Sequence, residues 1–100
     1  MLYAIMTEDI PNSREKRLAV RDAHMKRMTE MQSAGRLIVS GPCPAIDSPD
    51  PGPAGFSGSV IVAEFDSLEA AGEWIAADPY VTSGVFAKVT VKPFRKGFPR

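Results

Sequence analysis

The chain has 100 residues, with 12 basic and 12 acidic side chains, one histidine and one cysteine. That length holds a single domain around one core, and a net charge of zero supplies no field for polyanions, which argues against nucleic acid as a partner. The lone Cys43 excludes an intramolecular disulfide and suits a reducing compartment.

The opening run from Met1 to Met6 is apolar but short, with Glu8 and Asp9 close behind. It reads as neither a signal peptide nor a membrane span, so the expected setting is cytoplasmic. Leu2 to Thr7 suits a buried strand. Pro11 and Asn12 then introduce a helix, with Asn12 as N-cap and Glu15 completing a capping-box-like start. Helical spacing continues to about Ala34, where Gly35 supplies the left-handed residue that commonly stops a helix. Within it Leu18, Val20, Met25, Met28 and Met31 fall in one apolar arc, and Asp22, Lys26, Glu30 and Glu15 lie opposite. His24 and Arg21 project into the apolar arc, with Arg17 a turn nearer the start, placed to assist or to reach solvent. Histidine exchanges a proton near neutral pH, so its place there aims that chemistry at the interior or at a cavity.

Arg36 to Ser40 is the second predicted strand, ending at Gly41-Pro42. From Gly41 to Gly58 the prolines at 42, 44, 49, 51 and 53, interspersed with glycines, exclude both helix and central strand. A loop of that length either lines a pocket or is an extended hairpin connection. Ser59 to Phe65 is a third strand, followed by a helix capped by Asp66 or Ser67, with Glu69 at the capping-box position after Asp66. Ala70, Ala71, Trp74 and Ile75 give that helix an apolar side, and it stops near Ala77. Asp78-Pro79-Tyr80 through Ser83-Gly84 forms one short helical turn, and the last strand runs from Val85 to about Lys92, with Pro93 marking its end.

The order is β-α-β-β-α-β, the ferredoxin-like arrangement of an α+β domain with an antiparallel sheet. Two helices cover one face of four strands. The first strand is apolar on both faces, with Leu2, Ala4 and Met6 alternating with Tyr3 and Ile5. In the last, Val85, Ala87, Val89 and Val91 alternate with the more mixed Phe86, Lys88, Thr90 and Lys92. A second apolar face needs a second cover, and sheet-to-sheet packing in a homodimer is the simplest one.

Residue by residue, bland readings compete with functional ones. Asp78 before Pro79 is an ordinary N-cap with proline at the first helical position. His24 reads equally as a satisfied, partly buried histidine. Arg21 fits an inter-subunit salt bridge as well as a bound anion. Ser40 either bonds a ligand or satisfies backbone groups. Tyr80 either supplies a phenol and a pocket wall or packs beside the last strand. Cys43 lacks an evident activating neighbour and ranks below His24 as a reactive group. One histidine with scattered carboxylates forms no metal-ligand set, and no phosphate-cradling glycine motif opens a helix, so no cofactor is expected.

A set of short motifs in fixed order spans nearly the whole chain: Met1-Leu2-Tyr3, Glu15-Lys16-Arg17-Leu18, Ala23-His24, Gly35-Arg36-Leu37, Gly41-Pro42, Asp50-Pro51-Gly52, Ala63-Glu64-Phe65, Ser67-Leu68-Glu69-Ala70-Ala71, Ala77-Asp78-Pro79-Tyr80-Val81 and Val91-Lys92-Pro93-Phe94. In that order and spacing the chain resembles the YciI-like proteins. The resemblance implies a dimeric α+β barrel of two ferredoxin-like subunits, with a pocket containing a histidine and an aspartate. Carried over by motif, these are His24 and Asp78. A related dehydrochlorinase of a chlorinated hydroxyquinol implies small aromatic or lactone-like substrates.

If the fold unites the pair, the carboxylate fixes the imidazole tautomer and the other ring nitrogen moves a proton on a bound substrate. Arg21, one turn before His24, would hold an anionic substrate or enolate oxygen. Two classes of function follow. The first is a small cofactor-independent enzyme of isomerase or lyase type, acting through His24 and Asp78 on a small cyclic or aromatic substrate. The second is a non-catalytic dimeric module that binds a small molecule or a protein.

Overall fold

A computed structural model describes every residue from Met1 to Arg100. Its elements are β1 (Leu2–Asp9), α1 (Arg14–Ser33), β2 (Leu37–Pro44), β3 (Phe56–Glu64), α2 (Leu68–Ala76), α3 (Pro79–Thr82) and β4 (Phe86–Phe94), with one 3-10 turn at Gly52–Ala54. The four strands form one sheet in the order β2-β3-β1-β4, every neighbouring pair antiparallel. This is the expected β-α-β-β-α-β topology, with α3 as a short addition before the last strand. No helix is long and apolar enough to cross a membrane.

The strands run further than their prolines suggested. β2 continues through Gly41-Pro42 to Pro44 and β4 through Pro93 to Phe94. Both are edge strands, where a residue without an N–H costs the sheet no bond on its outer side. β3 likewise begins at Phe56 instead of Ser59, so the proline-glycine loop shrinks to residues 45–55. Within β3, Gly58 permits a close approach to β1: a Cβ there would lie 2.0 Å from the Thr7 carbonyl oxygen.

Helix α1 also starts differently. Its N-cap is Ser13, with no side-chain capping bond, and Asn12 instead takes the left-handed conformation at φ 57°. Ser13 is occupied elsewhere, its hydroxyl donating to Asp9 Oδ2 at 2.6 Å. Gly35 ends the helix at φ 71°, as its position implied. On α2 the cap is Ser67, which accepts from the Ala70 N–H at 3.0 Å.

The buried stripe of α1 is Arg17, His24, Met28 and Met31, so the apolar arc read from the sequence is rotated. Leu18 and Met25 are 56% and 43% exposed and border a cavity instead. The reason lies in what the helix covers. Its second half packs Met28 and Met31 onto Tyr3, Ile5, Ile61 and Ala63 of the sheet, joined by Phe65 and by Ala71 and Ile75 of α2. Its first half lies over the polar ends of β1 and β3, where Thr7 pairs with Ser59. The opposite sheet face carries Met6, Val39, Val60 and Phe94, all exposed in the single chain. This is the second apolar face that the strand patterns implied.

Candidate functional site

Two turns of α1 separate Arg17 from His24, and each meets a buried carboxylate. His24 Nδ1 lies 3.0 Å from Oδ1 and 3.1 Å from Oδ2 of Asp78. Asp78 is fully buried and caps α3, accepting from the Tyr80 N–H at 2.9 Å, with Pro79 at the first helical position. The capping role and the histidine contact therefore coexist on one side chain. Arg27, one turn beyond His24, places Nη1 2.9 Å from Asp78 Oδ2 and donates to the Trp74 carbonyl at 2.6 Å. Its guanidinium lies over the Trp74 ring at 4.4 Å.

Burial alone would push the Asp78 carboxyl up. The hydrogen bonds from His24 and the Tyr80 N–H, with the charges of His24 and Arg27, outweigh it and hold the group below the usual carboxylate range. An ionised carboxylate only accepts hydrogen bonds, so His24 must carry its proton on Nδ1. Nε2 is left as a lone-pair acceptor in the neutral ring and as a second donor in the cation.

Tyr80 fixes the plane of that ring. Its own ring stacks on His24 at 4.0 Å with 21° between planes, and Phe86 meets it edge-on at 5.6 Å. Phe86 reaches this side because a register shift opposite Glu8 and Asp9 reverses the alternation of β4 at its start. Burial raises the Tyr80 phenol above its ordinary value, the charges of Arg17 and Arg21 oppose the rise, and Asp78 adds to it. The phenol is therefore protonated at neutral pH and available as a donor.

Arg17 neither reaches solvent nor stands free to assist. It is bidentate on Asp9, Nε to Oδ2 at 2.6 Å and Nη2 to Oδ1 at 3.0 Å. Nη2 also donates to the Gly58 carbonyl at 2.9 Å and the Ser59 hydroxyl at 3.0 Å. Its guanidinium lies 4.9 Å from the Tyr80 ring centroid, so this network supports the tyrosine that supports the histidine.

The cavity measures about 510 Å³ and lies between one side of α1, from Arg14 to Gln32, β2 and the loop around Asp50–Gly55. His24, Arg21, Ser40 and Tyr80 line it together, and Asp78 stands behind His24 outside the lining. Ser40 Oγ donates weakly to Met28 Sδ at 3.3 Å. Cys43 lies partly buried on β2, outside the lining. No three His, Cys, Asp or Glu side chains come together as a group able to hold a metal ion.

Sequence reasoning missed Arg27 and the Asp9–Arg17 pair. Arg27 had a faint signal, since it lies three residues from His24, but its sharing of Asp78 depends on where α3 docks. Asp9 carried no signal at all, because its partner is eight residues away across a turn.

Comparison with known proteins gives four likenesses. The YCII-related domain matches residues 1–95. The chain is 56% identical over 98 residues to Protein YciI of Escherichia coli O6:H1, covering 98% of this chain and 100% of that one. It is 53% identical, over the same shares, to an uncharacterized protein of Haemophilus influenzae. Among solved structures it resembles the 5-chloro-2-hydroxyhydroquinone dehydrochlorinase of Burkholderia phenoliruptrix in complex with 2,5-dihydroxybenzoquinone. The TM-score is 0.85 at 24% identity, covering 97% of this chain and 96% of that one, a likeness of fold.

Proposed function

The chain belongs to the YCII-related domain family, and from that premise and the site's geometry we propose a small enzyme using His24 and Asp78 for general acid/base chemistry. The reaction is of isomerase or lyase type, on a small cyclic or aromatic substrate. One observation carries this reading: a histidine at a cavity wall is hydrogen-bonded through Nδ1 to a fully buried carboxylate. In the mechanism, Asp78 holds the proton on Nδ1 and stabilises the imidazolium, while Nε2 takes a proton from the substrate and returns it at another atom or to a leaving group. Such help is worth about 10²–10⁴-fold. Tyr80 holds the ring plane and offers its phenol to the substrate, and Ser40 and Arg21 supply further polar contacts from the same lining. The dehydrochlorinase with the same fold supports a single-ring ligand for a cavity of this size. The open apolar sheet face supports pairing of two chains sheet to sheet.

The test compares the native chain with His24→Ala for binding of 2,5-dihydroxybenzoquinone and for turnover of 5-chloro-2-hydroxyhydroquinone. Retained binding with turnover lowered about 10²–10⁴-fold is expected. Unchanged turnover removes His24 from the chemistry, and binding without turnover in the native chain makes this a binding module. Sedimentation velocity tests the pairing: Val60→Glu on the open face should convert a dimer to a monomer, and a native monomer would overturn that part.

A further inference from the structure

The arginines around the cavity fall into two groups. Arg17 is bonded to Asp9, Gly58 and Ser59, and Arg27 to Asp78 and Trp74. Arg14 and Arg21 line the same cavity, are exposed, and make no hydrogen bond or salt bridge within the chain. The carboxylates behind the wall do not balance them. Asp9 is spent on Arg17, and Asp78 on His24 and Arg27. The one acidic residue in the lining, Asp50, accepts from the Gly52 N–H at 3.3 Å and braces its own loop. A chain of zero net charge thus gathers two unpaired guanidiniums against one carboxylate in its cavity.

Their places along α1 differ. Arg21 precedes His24 by three residues, about 4.5 Å along the axis and on the same face. Arg14 lies about 15 Å from His24 along the axis, beneath the loop, where a Cβ on Gly55 would sit 3.4 Å from Arg14 Cβ. We propose that the cavity takes a ring-bearing oxyanion, a carboxylate or an ionised phenol or enol, whose negative oxygen is held by Arg21 beside His24. Arg14 attracts the same charge at the mouth. This rests on the reading of the cavity as the substrate site and names the substrate's class. A planar guanidinium grips an oxyanion through two parallel N–H bonds, whereas the apolar lining of Met25, Met28 and Leu37 offers a neutral polar group no such match. Arg21 also stands where charge would accumulate on an oxygen next to a carbon deprotonated by His24.

Three single-ring probes test the proposal: 4-hydroxybenzoate for a carboxylate, 4-nitrophenolate for an ionised phenol, and 4-methoxybenzamide as the neutral control. Binding at about pH 8 is followed by NMR through the His24 ring and cavity amides. At least one anion is expected to bind about tenfold or more tightly than the amide, and which one does so identifies the source of the negative oxygen. Arg21→Gln should remove that preference without changing amide binding, and Arg21→Lys should restore part of it. Arg14→Gln should cost less, and its effect should vanish at high salt, as expected of a screened charge. The proposal is overturned if the amide matches both anions, if Arg21→Gln leaves the anions unaffected, or if no probe perturbs the cavity. The readout is independent of catalysis. Anion preference without turnover would sink the acid–base reading alone, and turnover without anion preference would sink this inference alone.

Discussion

The helix-covered face of the sheet is built in two ways along the same strands. At one end β1 and β3 present Tyr3, Ile5, Ile61 and Ala63 to Met28, Met31, Ala71 and Ile75. A few residues on, the same strands present Asp9 and Ser59 to Arg17, while α1 and the cap of α3 join His24 to Asp78. Apolar burial is non-directional and asks chiefly that volume be filled. Buried charges are tolerated only when every partner is in place. The apolar end therefore secures the fold, and the polar end spends stability to hold side chains at fixed angles. A pocket that must position a proton needs the second kind of interior.

The largest expected effect lies at the polar end. Asp9→Ala strands the Arg17 guanidinium, whose side chain is 8% exposed, and should cost about 3–5 kcal/mol in urea unfolding. Ile61→Ala, in the centre of the apolar end, should cost about 2–5 kcal/mol by transfer and cavity terms. The conservative pair separates the two ends: Ile61→Val should be mild, at about 0.5–1.5 kcal/mol, whereas Asp9→Asn keeps shape, loses charge and should remain costly. Equal tolerance of both conservative changes would erase the distinction between the two ends.

Asp78 gives the next effect and a pH signature. Its folded pKa lies below the ordinary 3.8, so the stability it contributes is present above that value and lost as pH falls through the lower folded pKa. Urea midpoints should therefore decline in acid below about pH 4, and Asp78→Asn should flatten part of that decline. At neutral pH the variant should cost about 1–3 kcal/mol, since it weakens the bonds from His24, Arg27 and the Tyr80 N–H together.

The sequence disclosed the apolar end better than the polar one. Alternation in Leu2–Thr7 and Val60–Phe65 and the stop at Gly35 follow from local rules, and the element order came with them. The limits of β2 and β4 did not, because Pro42, Pro44 and Pro93 are tolerated only on edge strands, and strand order is a property of the sheet. His24 stands out as a polar residue among apolar ones, yet the buried stripe is rotated by one position from the one the pattern predicts. Arg17, peripheral in that pattern, is buried, and Leu18, at its core, is not. A buried arginine reads as surface until its carboxylate is known, and Asp9 becomes its partner only once β1 runs beyond Thr7.

Met28 marks the boundary, belonging to the apolar core and also lining the cavity, where its sulfur accepts from Ser40 Oγ at 3.3 Å. Met28→Leu conserves volume and should cost less than about 1.5 kcal/mol, the smallest of these stability effects. It also removes the sulfur acceptor and leaves the Ser40 hydroxyl to the cavity. If the two ends are independent, the variant keeps its urea midpoint while 4-hydroxybenzoate affinity changes, because one more donor faces the ligand. If stability and affinity fall together, the core and the cavity share one packing unit at this residue, and the division between them lies nearer to His24.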